Sequence, residues 1–405
     1  MRKLFALTAL LLVAPATSMA LSPERAGDTR VTPASTDARA AMGSARAYWD
    51  NGARIDFPDS GFTVRINTLL QPRYTFTDND FDTTEGGDRN NSSFDTNRAR
   101  LMVSGTALHE EFSYGLNVDF AGQRDVYGFG DGTRGTELLD AWVQWHACDW
   151  LGLSMGQFKT AVSRQWNTNP AYLQFPDRTF ISDYSNSARS QGLAANMDFG
   201  DGRFELGAGV FNGWTAGQNM QNLDTRHTGV INARFNPMGQ MNAYEEGDVG
   251  YTEDMALSFG GAYSYSETSD LGGFGKVDVH QLSIDGNLKT RGLSVHVEFF
   301  LNELNPDVGS SFTPVGYYAQ VGYFLSPKVW EVAVRHSYVD FDDYVIGDTL
   351  APVSNLNQAS ISLNHHWWEH NLKAQLAFDF FNRDLAAGAG NDNTNRWMLQ
   401  LSSYF

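Results

Sequence analysis

From Phe62 to its last residue this chain keeps a two-residue rhythm. In 62–76 the even positions read Phe62, Val64, Ile66, Thr68, Leu70, Pro72, Tyr74, Phe76, and the odd ones Thr63, Arg65, Asn67, Leu69, Gln71, Arg73. Successive side chains of a strand point to opposite faces, so this pattern predicts one apolar and one polar face. Phe112 to Phe120 and Trp397 to Phe405 repeat it. A helix cannot present such a pattern as two clean faces.

Segmenting by this rhythm predicts about sixteen strands, an even number as bacterial single-chain barrels have. They lie near 62–76, 95–107, 111–121, 136–147, 150–159, 189–199, 203–213 and 226–236 in the first half. The second half gives 254–266, 275–289, 292–302, 314–325, 328–340, 355–367, 370–382 and 395–405. Connections after even-numbered segments are mostly tight, as at Gly200-Asp201-Gly202 or Ser326-Pro327. Those after odd-numbered ones are longer and rich in Asp, Asn and Gly, as in Asp78 to Ser93. Short turns at one rim and long loops at the other mark an outer-membrane barrel. Pro237 to Glu253 breaks the rule, being long where a tight turn is expected: a strand pair is hidden there or the turn is elaborated.

A soluble β-sandwich would also alternate. Aromatic residues crowd the strand ends instead, as interfacial girdles require, and the chain ends on Phe405 inside an alternating segment. In lipid every backbone amide must be paired, which a closed barrel achieves. The expected fold is all-β, a transmembrane antiparallel β-barrel over 61–405.

The N-terminus predicts export. Arg2 and Lys3 precede an apolar run from Leu4 to Val13, and Ser18-Met19-Ala20 offers a small-residue cleavage site. This is a signal peptide over 1–20. The run is too short to span, since a membrane helix needs about 20 apolar residues. Residues 21–60 are a polar lead-in, in which Asp37 could cap a short helix over Ala38 to Tyr48. The net charge of −18 argues against nucleic acid as a partner. The single cysteine, Cys148, excludes an intramolecular disulfide.

The stretches NRARLMVSG (97–105), LLDAWVQW (138–145), LGLSMGQFKT (151–160), ARSQGLAANMDFGDGRFELGAGVFNG (188–213), ARFNP (233–237) and GYYAQVGYFLSPKVWEVAVRHSYVDF (316–341) resemble the phosphate-selective porin O and P family. The resemblance covers nearly all of 61–405. It implies a porin-like barrel of sixteen strands, usually a trimer, narrowed by an inward-folded third loop. It also implies an outer-membrane channel for small hydrophilic solutes or inorganic anions such as phosphate. The family's Arg-x-Arg strand matches Arg98 and Arg100, and its Gly-Gln-Phe-Lys motif matches Gly156 to Lys159. The arginine before the sixth strand matches Arg189, and the acid of the fourth matches Asp140. The chain departs from the pattern at Leu139, where the family carries Arg, and at Thr160-Ala161-Val162, where Pro-Phe-Gly is usual.

Arg65, Arg73, Arg98 and Arg100 fall on polar faces of neighbouring strands and could form a ladder. Lys159, Arg164, Arg178 and Arg189 flank or occupy the third loop, and with Asp140 they complete the expected pore lining. Arginine suits oxyanions through its planar fork of donors. The alternative is that wall arginines pair with loop carboxylates such as Asp177 and Asp183. That would give a general or cation-preferring porin, which the acidic chain also favours.

Asp78, Asp80, Asp82 and Asp88 form an acidic outer loop. Its start resembles a calcium loop, but Thr83 and Arg89 stand where Gly and Glu are needed. It is read as solvated carboxylates among lipopolysaccharide. His365 and His366 are adjacent and so face opposite sides of a strand. Ser294 and His296 share a strand without a third member, so no catalytic residue, metal or cofactor is expected.

Overall fold

A computed structural model describes residues 45–81, 90–121, 135–185, 189–213, 221–222, 224–268, 275–341, 353–385 and 390–405. The expected leader and most of the lead-in lie outside these, as do Asp82, Thr83, Asp88 and Arg89.

A short hairpin, β1 (Arg46–Trp49) and β2 (Ala53–Phe57), precedes the long strands β3 (Phe62–Phe81), β4 (Asn91–Ala107), β5 (Phe112–Asp119) and β6 (Glu137–Cys148). There follow β7 (Leu151–Lys159), β8 (Arg189–Phe199), β9 (Phe204–Asn212), β10 (His227–Met238), β11 (Ala256–Thr268) and β12 (Val277–Thr290). The remaining strands are β13 (Leu293–Pro306), β14 (Val315–Ser326), β15 (Trp330–Asp340), β16 (Val353–Trp368), β17 (Leu372–Leu385) and β18 (Asn391–Tyr404). Each of β3 to β18 pairs antiparallel with its chain neighbour, and β18 pairs back onto β3 with Trp397 opposite Phe76 and Tyr404 opposite Leu69. This closes a barrel of sixteen strands, the number the rhythm predicted. Closure leaves no unpaired edge along the barrel wall, the condition lipid imposes.

The seam is finished by the chain ends. The Phe405 amide donates to the Thr68 carbonyl at 3.0 Å. Below that point β2 takes over the edge of β3, pairing Ala53 with Ile66 and Phe57 with Phe62. Arg46–Trp49 is thus a strand, whereas the sequence suggested helix to Tyr48. The Asn51-Gly52 pair explains the difference: both residues take positive φ, 45° and 139°, and turn the chain back on itself.

The outward faces carry the apolar rhythm to the membrane. Ile284, Val297, Leu376 and Leu399 are exposed on them. Rings collect at the turn rim, where Trp150 stacks on Phe199 at 5.5 Å and Phe204 on Phe235 at 4.6 Å. Others flank the loop rim, such as Tyr74 with Phe94 at 4.8 Å. His365 lies outside against Trp330 at 4.3 Å, while its neighbour His366 is buried inside beside Glu331.

The lumen is not an open tube. The described part of the third long connection (160–185) turns inward and lies against the walls of β3, β4 and β12–β18. Val162, Leu173, Phe175 and Ile181 on it are buried. The segment between β10 and β11 also turns inward from the opposite rim, burying Ala243, Glu246, Asp248 and Val249. No extra strand pair is hidden there: the long turn is elaborated as a second plug.

Candidate functional site

Three short helical turns shape the inward loop. Helix α1 (Arg164–Asn167) starts at Ser163, whose hydroxyl accepts from the Trp166 amide at 3.1 Å. A 3-10 turn over Pro170–Tyr172 is capped by Asn169, and α2 (Phe180–Tyr184) by Thr179. Side-chain oxygens at these positions satisfy backbone amides that would otherwise be orphaned in the lumen. Glu298 on β13 does the same from the wall, accepting from the Arg164 amide at 2.7 Å and the Gln165 amide at 3.1 Å.

The loop is riveted to the barrel by buried charges. Arg73 on β3 grips the Asp177 carboxylate with two donors, at 2.8 and 2.7 Å, both partners being almost wholly buried. Arg396 on β18 stands 3.6 Å from the same carboxylate, and Arg335 on β15 donates to the Asp177 backbone carbonyl at 2.9 Å. Burial alone would raise the Asp177 carboxyl, but the charges of Arg73, Arg396 and Arg98 hold it well below the usual carboxylate range. Gln174 is a second rivet. Its amide group donates to Ser294 and Glu331 at 3.0 and 2.6 Å and accepts from Gln320 at 2.6 Å. Gly322 makes room for it, since a Cβ there would overlap the Gln174 amide.

The second plug meets the first through Glu246, which is fully buried. It accepts from the Gln174 amide at 2.9 Å, Gln165 Nε2 at 2.8 Å and Gln320 Nε2 at 2.9 Å, with Arg164 3.8 Å away. Arg164 and these donors keep its carboxyl below its ordinary value against the penalty of burial. Arg164 also donates to the Ala243 carbonyl at 3.3 Å and to the Tyr318 hydroxyl.

The remaining sequence-predicted residues fall into two places. Arg65 sits near the turn rim, bound to Asp50 at 2.5 Å and still partly exposed. Arg98, Arg100, Lys159, Arg178 and Arg189 instead form one cluster where β4, β7 and β8 meet the loop. A bulge assists: Gln71 pairs with Arg98 and Pro72 with Thr96, leaving Asn97 extra. Proline donates nothing to the ladder, so an interruption at Pro72 leaves no broken bond. Arg98 binds Gln71 at 2.8 Å and Arg100 binds Asp119 at 2.7 Å. Arg189 binds Asp140 at 2.8 Å, while the Lys159 ammonium donates to the Trp166 carbonyl at 2.6 Å. Arg178 donates to the Gln165 and Thr168 carbonyls and lies 4.9 Å over the Trp166 ring. Burial and the charges of Arg100 and Arg189 bring Arg178 down to about 10, against the pull of Asp183. Burial pushes Asp183 itself up to about 6.

The ladder expected along β3 and β4 is therefore divided: Arg73 anchors the loop, Arg65 serves the hairpin, and Arg98 and Arg100 join the cluster. Sequence reasoning passed over the carboxylates of the facing side, Glu246, Glu298 and Glu331. Their signal lies in the period-two pattern, which puts Glu298 and Glu331 on polar strand faces. Ser294 and His296 also face the lumen, fully buried, the serine accepting from Gln174 and the imidazole meeting Asn287 at 2.7 Å.

Fold and constriction together define a membrane channel of the porin class: a closed barrel with an apolar exterior and a polar lumen narrowed by its own third loop. The model of the family "Phosphate-selective porin O and P" matches residues 69–405, and the chain belongs to that family. It is an outer-membrane porin, a channel for passive diffusion of small hydrophilic solutes. No curated protein sequence matches the chain. Among solved structures it is similar to the outer-membrane channel DcaP of Acinetobacter baumannii, with 12% identity, a TM-score of 0.58 and coverage of 85% of this chain and 98% of that one. The trimer form of OmpT of Vibrio cholerae gives 11%, 0.56, 85% and 99% for the same quantities. The anion-selective porin of Comamonas acidovorans gives 13%, 0.55, 85% and 100%. At such identities the likeness is one of fold.

Proposed function

We propose that this porin favours small anions, phosphate among them, at the cluster formed by Arg98, Arg100, Lys159, Arg178 and Arg189. The observation that carries this reading is a charge imbalance within the cluster. Five basic side chains gather there, four of them arginines, and Asp119, Asp140 and Asp183 are the carboxylates set among them; Asp177 is shared with Arg73 and Arg396, and Glu246 with Arg164. A positive surplus in a narrow, low-dielectric passage raises the local anion concentration. Guanidinium groups also suit the planar oxygens of an oxyanion.

A second reading has its own support. Glu246 on the second plug and Glu298 and Glu331 on the facing wall set carboxylates across the lumen from the cluster, among the buried cations Lys289, Arg335 and Lys373, and such an arrangement sets up a transverse field. Such a field suits a general or cation-preferring porin. Reversal potential across a potassium chloride gradient separates the two. The anion reading expects the potential to approach that of chloride, and phosphate to block the current at low concentration. It expects that block to vanish in the Arg98→Gln/Arg100→Gln double variant. A potential on the potassium side, with no phosphate effect, would remove it.

The finer assignments belong to the same proposal. Residues 1–20 are a signal peptide cleaved after Ala20 on the way to the outer membrane, 21–60 a lead-in and 61–405 the barrel. The channel assembles as a homotrimer whose outer loops meet lipopolysaccharide. The trimer form of the Vibrio cholerae OmpT structure, which shares the fold, supports the oligomer.

A further inference from the structure

Beside the loop the lumen keeps a recess, a cavity of about 160 Å³ in the wall of β6 to β10. Its chemistry differs from that of the cationic cluster. Trp142, Phe158 and Phe211 supply rings, while Gln144, Asn196 and Asn232 supply amides. Among its lining residues only Lys159 is charged, and that ammonium is engaged with the Trp166 and Thr168 carbonyls.

Glycines give the recess its shape. A Cβ added at Gly115 would meet three atoms of the Trp142 indole at 2.6–2.7 Å, so the ring lies face-down on the β5 backbone. Phe211 lies over Gly209 in the same way, at 2.6 Å, and Gln144 over Gly152 at 2.7 Å. Asn232 covers Gly207. These side chains lie along the wall, and the Trp142 indole lines the recess. The amides keep spare capacity. Ser154 donates to Gln144 Oε1 at 2.9 Å, but among the described residues Gln144 Nε2 and the Asn232 amide have no hydrogen-bond partner.

From this we propose that the recess is a subsite for an uncharged polyhydroxy ring, a solute of monosaccharide size. The inference rests on the channel reading but not on its anion selectivity. A cavity of about 150 Å³ holds a benzene-sized ring, and because this recess opens to the lumen a sugar ring can seat there with part of its hydroxyl rim left outside. A sugar ring has a face of C–H groups that packs on an indole, and hydroxyls that both donate and accept, as carboxamides do. A bare oxyanion gains nothing from flat rings. An aromatic carboxylate would use the rings and accept from the amide N–H groups, but it has no proton to donate to the Asn232 carbonyl oxygen, which a hydroxyl supplies.

The test uses the purified, folded porin in planar bilayers, with chloride current as the carrier. Glucose added at millimolar levels is expected to interrupt the current in a saturable way. Trp142→Ala is expected to raise the half-blocking concentration roughly ten-fold, which corresponds to about 1.4 kcal/mol. Ala194→Leu fills the recess from another strand and is expected to do the same, so the result does not hang on one variant. Chloride current from each variant reports that it folds into channels. The proposal is overturned if glucose leaves the wild-type current untouched, if neither variant shifts its effect, or if benzoate blocks through Trp142 while glucose does not. A phosphate effect without a glucose effect would leave the anion reading standing and remove only this subsite. Absence of any current would remove both.

Discussion

The Arg73 guanidinium holds the Asp177 carboxylate through two hydrogen bonds of 2.8 and 2.7 Å, and this pair ties the constriction loop to the strand that closes the barrel. Both ends are desolvated, so the pair is worth little against an apolar substitute but a great deal against the loss of one partner. Removing one member of such a pair typically costs about 3–5 kcal/mol, because the other is left as a buried bare charge. Asp177→Ala would leave Arg73 and Arg396 facing each other without their shared anion. The loop is then expected to leave the wall. Single-channel recordings should show a larger and noisier conductance than the parent, with the barrel itself still resistant to detergent. An unchanged conductance would mean that the remaining loop contacts suffice.

The second plug makes a separate prediction. Glu246 joins the turn segment to the loop by accepting from Gln165, Gln174 and Gln320. Replacing it with Gln keeps the shape but puts a donor where donors already converge, leaving polar groups unmatched at about 1–3 kcal/mol each. The variant is expected to conduct more than the parent, and a double change with Asp177→Ala to conduct most. Gly322→Ala tests the same junction from the wall, because the added methyl displaces Gln174. Its conductance should rise in the same direction.

Much of this architecture is legible in the sequence. Period two alone locates all sixteen wall strands, because a wall between lipid and water must alternate. What it does not supply is the loop's path. Loop residues 160–185 have no periodicity to read, and their position depends on contacts with Glu298, Arg335 and Arg396, which are distant in sequence. Strand ends are hard to read for a related reason: β3 runs on to Phe81 through Asp78 and Asp80, where both faces are polar and the rhythm loses its contrast. The division of the arginines is also hidden. Arg73 and Arg98 look equivalent on adjacent polar faces, and only the arrival of Asp177 beside Arg73 makes one an anchor.

The wall offers a test that ignores the pore. Ile284 and Val297 are exposed on the outward faces of β12 and β13, well inside both strands. A charged residue near the bilayer midplane on a barrel's lipid face costs about 2–4 kcal/mol. Val297→Arg should therefore lower the stability of the refolded barrel in lipid, read from a denaturant titration, by that order. The same change at Asn232, on the lumen side, should cost far less. Equal costs at the two positions would contradict the assignment of faces.

Acidity should tune the cationic cluster through Asp183. Burial raises this loop carboxyl to about 6, so its proton is bound more tightly in the folded loop than in an unfolded chain. By linkage, the docked loop is favoured when Asp183 is neutral, and that advantage is lost as pH rises from the ordinary carboxylate range through about 6. Above that point Asp183 adds a negative charge beside Arg178 and subtracts from the surplus that draws anions. Anion permeability relative to potassium is thus expected to be higher at pH 5 than at pH 7.5. Asp183→Asn should hold the acidic value across the range, since its amide carries no charge at either pH. Reversal potentials at the two pH values, in parent and variant, measure this directly. A parent porin with a flat profile, or a variant that keeps the parent's slope, would place the pH response elsewhere.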